Sequence, residues 1–133
     1  MSRSGYIEDY EDIWGMIRWR GAVKSAICGK RGQKALREIL AALDAMPVKR
    51  LASGSLITEE GEYCTLGILG AHKGIALETI DPEDYNMVAK EFDIATALAR
   101  EIVYENDEIW KETPESRWHR MREWVVSNIK GVL

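Results

Sequence analysis

Apolar positions return every three or four residues through the first third of the chain. Met16, Trp19, Val23 and Ile27 form one such series, and that spacing predicts an amphipathic helix from about Tyr10 to Cys28, punctuated by Gly29. Leu36, Ile39, Leu40 and Leu43 form a second series between Lys30 and Met46. The residues around them are mostly Ala, Leu, Lys, Arg and Glu, all good helix formers, and Pro47 cannot continue the helix.

The period then changes. Leu51–Thr58 and Tyr63–Leu69 are short runs with β-branched and aromatic residues on either side of Glu59-Glu60-Gly61-Glu62, which predicts a β-hairpin. Gly54, Gly67 and Gly70 within these runs point to bulges or to close packing of backbone. Helical signals resume at Asp81-Pro82-Glu83-Asp84, where Asp81 suits an N-cap and Pro82 the first helical position, for a short helix to about Glu91. Asp93 can cap another, with Ile94, Leu98, Ile102 and Ile109 at helical spacing. Thr113-Pro114-Glu115-Ser116 opens a last helix with Trp118, Met121, Trp124, Val125 and Ile129 as its inner face. The expected fold is α+β in a single domain over residues 1–133: an N-terminal helix pair, a small antiparallel β-hairpin or sheet, and C-terminal helices.

A chain of 133 residues with 46% apolar and 30% charged residues can build its own core, which excludes a disordered acidic chain, a collagenous repeat and a disulfide scaffold. The start, Met1 to Asp9, lacks the apolar run of a secretory signal, and no stretch approaches the ~18 apolar residues of a membrane span. The expectation is a protein of the host-cell cytoplasm with no membrane partner. Cys28 and Cys64 are expected to be reduced there.

The net charge of −4 conceals an uneven distribution. Residues 18–50 hold nine basic residues against two acids, whereas residues 51–112 hold four against fourteen. The cations Arg18, Arg20, Lys24, Lys30, Arg31, Lys34 and Arg37 fall on the two predicted N-terminal helices, where i, i+4 spacing gathers them on shared faces. These seven are the candidate macromolecule-binding residues. The connection Gly29-Lys30-Arg31-Gly32-Gln33 also enters a helix, an arrangement suited to anions, although it lacks the spacing of a nucleotide-binding P-loop. The same cations would equally serve as the solvated face of an amphipathic helix.

The segment from Val88 to Ile102 looks like a helix-turn-helix, with Ala89 small, Asp93 at the turn, and Ile94, Ala99 and Ile102 at the usual offsets. Its second helix offers Arg100 and is then followed by Glu101, Glu105, Asp107 and Glu108. Phosphates would repel such a helix, so the pair reads as packing. His72 and His119 stand apart from any metal-ligand spacing. A nucleophilic pair would have to be assembled in space, from Cys28 or Cys64 with either histidine. No catalytic, metal or cofactor-binding residue is assigned, and no cofactor is expected. Of the five tryptophans, Trp14 and Trp110 lie off the helical stripes and are candidates for a protein interface, where Trp concentrates binding energy.

At Trp19-Arg-Gly-Ala-Val, Gly29-Lys-Arg-Gly-Gln, Leu43-Asp-Ala-Met-Pro and Ala99-Arg-Glu-Ile-Val-Tyr-Glu-Asn-Asp-Glu, the chain resembles a family of small proteins carried by phages and prophages of proteobacteria. The likeness covers most of the chain. It implies a phage setting and, by analogy with phage accessory proteins, binding to a host protein or nucleic acid, including host defence machinery. The expected function is therefore non-enzymatic: a phage-derived interaction protein that binds a host macromolecule, in its sharpest form an inhibitor of host defence. The alternative is direct nucleic-acid binding through the basic N-terminal helices. Monomer and homodimer are both open.

Overall fold

The computed structural model describes residues 13–108 and 111–131, with side chains from Gly15 onward. Among these residues the fold consists of six α-helices and one 3-10 turn: α1 (Ile13–Cys28), α2 (Lys30–Ala45), α3 (Thr65–His72), the turn Leu77–Thr79, α4 (Tyr85–Phe92), α5 (Thr96–Asp107) and α6 (Pro114–Asn128). Helix α5 is central, packing against α1, α3, α4 and α6, while α2 packs against α1, α3 and α6.

The expected α+β class is corrected: the described residues contain no strand or sheet. The turn of the expected hairpin does form. Thr58 and Glu62 close it, with the Thr58 N–H donating to the Glu62 carbonyl at 2.8 Å. Gly61 takes φ 82° there, a conformation natural to glycine. A single antiparallel bridge joins Ile57 to Tyr63. The second strand then fails, because Cys64 caps a helix instead: its Sγ accepts from the Gly67 N–H at 3.3 Å. Gly67 decides the outcome sterically. A Cβ at that position would overlap the Leu56 carbonyl oxygen, so the small residue lets the start of α3 press directly on the 51–64 segment. Leu66 and Leu69 enter the core from α3, and the run that alternates weakly as a strand buries better as a helix.

Two of the expected stripes hold. Leu36, Ile39 and Leu43 of α2 are fully buried, as are Met121 and Val125 of α6, with Trp118 and Ile129 close to it. Thr113 caps α6, accepting from the Ser116 N–H at 3.0 Å. In α1 the expected stripe buries only Val23 fully, and Met16 and Ile17 stand 45% and 53% exposed. Helix α4 starts later than expected. Asp84, not Asp81, is its cap, accepting from the Met87 N–H at 3.1 Å, while Asp81 closes a local turn onto the Glu83 N–H at 3.0 Å.

The 51–64 segment is held by side chains rather than by a sheet. Asn106, buried on α5, accepts from the Thr65 N–H and hydroxyl at 3.0 and 2.7 Å and donates to the Ala52 carbonyl at 3.0 Å. Arg117, buried on α6, donates to the Leu51 carbonyl at 2.9 Å and the Asn106 carbonyl at 3.1 Å. Its charge faces Glu112 at 3.6 Å. These bonds satisfy backbone groups that a loop under the helices would otherwise leave unpaired.

Candidate functional site

The seven basic candidates separate into two groups. Arg20 is drawn across to α5, where its guanidinium donates to both carboxylate oxygens of Glu101 at 2.9 and 3.3 Å. Glu101 is only 3% exposed, so this cation supports the packing of α1. Arg31 faces Asp93 at 3.6 Å. Arg18 and Lys24 are exposed on α1.

The other three, Lys30, Lys34 and Arg37, occupy one face of α2 and line a shallow depression with His72 of α3. Lys34 meets Glu38 at 4.0 Å, and Arg37 donates to the Lys130 carbonyl at 2.8 Å, which leans it toward the end of α6.

The glycine-rich connection does not form an anion cradle. It is a single extended residue, Gly29, at φ −72° and ψ 164°. Gly32 is required for packing: a Cβ there would overlap the Ala26 carbonyl oxygen. Gln33 fastens the same corner, donating to the carbonyls of Ile27 and Asn128 at 2.7 and 3.0 Å and accepting from the Lys130 N–H at 2.8 Å.

The helix-turn-helix geometry is present in α4 and α5. Asp93 adopts φ 56° and ψ 50°, the left-handed turn conformation for which glycine is the usual choice. It ends α4 rather than capping α5, and the Ile94 N–H closes the motif on the Ala89 carbonyl at 3.0 Å. Helix α5 does not project as a recognition helix, because α1 lies over it. Arg100 is held between the rings of Trp19 and Tyr85, at 4.6 and 5.2 Å from their centroids. Glu101 is buried beneath Arg20.

Next to the cationic face lies a groove of about 440 Å³. Ala42, Ala45 and Val48 form one wall, and Tyr63, Ile68 and Ala71 the other. Val48 is 60% exposed. The charged groups at the rim are paired as ions: Arg50 meets Glu62 at 2.6 Å and Glu115 at 3.3 Å. His72 lines both the groove and the cationic depression, so the two are one continuous surface. Sequence reasoning missed the groove because Ala41 to Pro47 reads only as a helix and its stop. One signal was available: Ala41 and Ala45 extend the stripe of Lys30, Lys34 and Arg37 at helical spacing, and apolar Val48 follows the stop.

The remaining chemistry is sparse. Cys28 and Cys64 are free thiols. Cys64 caps the start of α3 and His72 ends it, so they lie about 12 Å apart along the helix, too far for a nucleophile and its base. His119 stacks edge-on against Trp118 at 5.0 Å. Among the described residues no three His, Cys, Asp or Glu converge as metal ligands, and no helix is long and apolar enough to cross a membrane. Asp44, seven residues beyond Arg37 and so at the α6 edge of the same face of α2, is hydrogen-bonded by Arg122 at 2.6 Å. That bond holds its carboxyl below the ordinary value. The side chain of Trp14 and all of Trp110, the expected interface tryptophans, lie outside the described residues.

No protein-family model, no curated protein and no solved structure matches this chain. The phage setting and the defence role therefore gain no support from relatives, and the functional reading rests on the α2–α3 surface.

Proposed function

We propose that this chain is a non-enzymatic binding protein that engages another protein through the surface shared by α2 and α3. The observation that carries the reading is the junction at His72 of an open apolar groove with a face bearing Lys30, Lys34 and Arg37. A concave apolar surface bordered by charge is the usual form of a specific contact, with the apolar part supplying affinity and the charge orientation. Among the described residues Cys64 and His72, at opposite ends of α3, are too far apart to serve an enzymatic reading as nucleophile and base.

The alternative, nucleic-acid binding, draws on the same cations. It is the weaker reading, because Arg20 and Arg31 face carboxylates and Glu38 interrupts the remaining cationic face. A phosphate backbone needs a longer track of unopposed charge.

The test is capture from a proteobacterial lysate, with and without nuclease, on the wild-type protein and on Ala45→Arg. A protein that survives nuclease and is lost with Ala45→Arg supports the reading. Material lost with nuclease and indifferent to Ala45→Arg supports nucleic acid instead.

A further inference from the structure

Resting on the reading of the α2–α3 face as a protein-binding surface, we propose that its occupant is a short segment of a partner protein, acidic at one end and apolar at the other. The segment lies along α2 with its acidic end over Lys30, Lys34 and Arg37 and its apolar end in the groove beside Val48.

The polarity follows from the order of residues on one helix face. Positions 30, 34 and 37 are cationic, and positions 41 and 45, next on the same stripe, are alanines. Ala41 and Ala45 are exposed, and their small side chains admit a neighbouring backbone close to α2. Beyond the helix end, Val48 continues the apolar character, and Tyr63 and Ile68 line the groove opposite it. A helix of 16 residues is about 24 Å long, which matches a helical segment of about 16 residues or an extended one of about seven.

The charge arrangement fixes what the segment carries. Lys30 and Lys34 are exposed at the start of α2, where the helix dipole adds positive potential. The contact of Lys34 with Glu38 is long and exposed, so it competes weakly with an incoming carboxylate. Glu38 also marks where acidity must stop, since a partner carboxylate beyond it would meet like charge. At the groove rim, Arg50 stands between Glu62 and Glu115 at 2.6 and 3.3 Å, a cluster with more acid than base that disfavours a further carboxylate and leaves apolar contact as the basis of recognition there.

The experiment uses the full chain, immobilised, to select from a yeast-displayed library of random 16-residue segments. The expected result is enrichment of segments with Asp and Glu in one half and Leu, Ile, Val or Phe in the other. A selected segment is then measured by fluorescence anisotropy against wild type, Lys34→Glu/Arg37→Glu and Ala45→Arg, each checked for folding by circular dichroism. Both variants should weaken binding by about tenfold or more, and only the loss caused by the charge reversal should shrink as salt rises. Apolar segments with no acidic bias, lost with Ala45→Arg but indifferent to the charge reversal, would overturn this inference and leave the protein-binding reading standing. Failure to select any segment, or selection of segments indifferent to both variants, would overturn both. Competition of a selected segment by a DNA duplex at ~50 mM salt would also overturn both, in favour of nucleic acid.

Discussion

Single residues in this chain carry more of the architecture than their types suggest. Arg117 is the clearest case: it is 7% exposed and spends its donors on the backbone of two distant segments and on Glu112. Arg117→Met should destabilise the protein by about 3 kcal/mol, because it strands the buried carbonyls of Leu51 and Asn106, whereas Glu112 keeps its paired bonds from Arg120 at 2.6 and 2.9 Å. Urea unfolding followed by circular dichroism measures it. Glu105 offers a prediction of opposite sign. Burial, and then repulsion from Glu101, raises its carboxyl above the ordinary 4.5, against weaker opposition from Arg120 and Arg20. The folded state therefore holds this proton more tightly than the unfolded chain, and the ionised form costs stability at neutral pH. Glu105→Gln should be more stable than wild type at pH 7, and the gain should fade as pH drops through the raised value and vanish below 4.5. Thermal melts across that range test it, and a gain that persisted at pH 4 would reject the cause given. Asp44 behaves in the other direction. Its lowered value means that the Arg122 contact stabilises the fold above pH 3.8 and is lost as the solution becomes more acidic.

At the scale of elements, two glycines decide which structure the sequence adopts. Gly67 sets α3 against the Leu56 carbonyl, and Gly67→Ala should cost about 3 kcal/mol, the upper end for overpacking, because the overlap is with rigid backbone. Gly54, by contrast, has open space around its missing Cβ, but its φ of 88° makes Gly54→Ala a backbone penalty of about 1 kcal/mol. Paired denaturant titrations of the two variants separate packing from conformation, and an equal cost would contradict the distinction. The helices were legible wherever a stripe of large apolar residues coincided with a boundary signal, the stop at Pro47 for α2 and the cap Thr113 for α6. Thr113 and Pro114 announced α6 to the residue. The hairpin was misread because Thr65, Ile68 and their neighbours have a mixed pattern, and no local signal reveals that Cys64 will act as a cap. Asp93 was assigned to the right turn in the wrong role, since one aspartate serves equally as the start of one helix or the left-handed end of another. Of the candidate site, the cations Lys30, Lys34 and Arg37 were legible from spacing alone. The groove was not, because it is formed by Tyr63 and Ile68, which reach Ala42 and Ala45 only through the tertiary fold. Arg117 too had a signal, its four-residue spacing with Met121 and Val125, although a charged residue on that stripe suggests exposure.

For the whole molecule, the surface proposed for binding and the buried polar bonds are separate, although α2 and α3 also supply Leu36, Ile39, Leu43, Leu66 and Leu69 to the core. The surface belongs to α2 and α3, whereas the buried polar bonds join α5, α6 and the 51–64 segment. Val48→Asp should thus leave the unfolding free energy within about 0.5 kcal/mol of wild type while abolishing capture of the partner, and a large loss of stability would show that the groove belongs to the core. Helix α1 is held differently, by Val23, the Arg20–Glu101 pair and the Arg100 stack on Trp19. With Met16 and Ile17 exposed, it buries less than its neighbours. Hydrogen exchange should find its amides opening before those of α2 and α5. The bonds of Asn106 and Arg117 have a further consequence, in time rather than in space. They tie Leu51, Ala52 and Thr65 to partners 41 to 66 residues downstream, so in a chain still emerging from the ribosome these groups have only the segment's own local bonds to hold them. The 51–64 segment is therefore fastened only after α5 and α6 have been made, later than its own place in the chain would suggest.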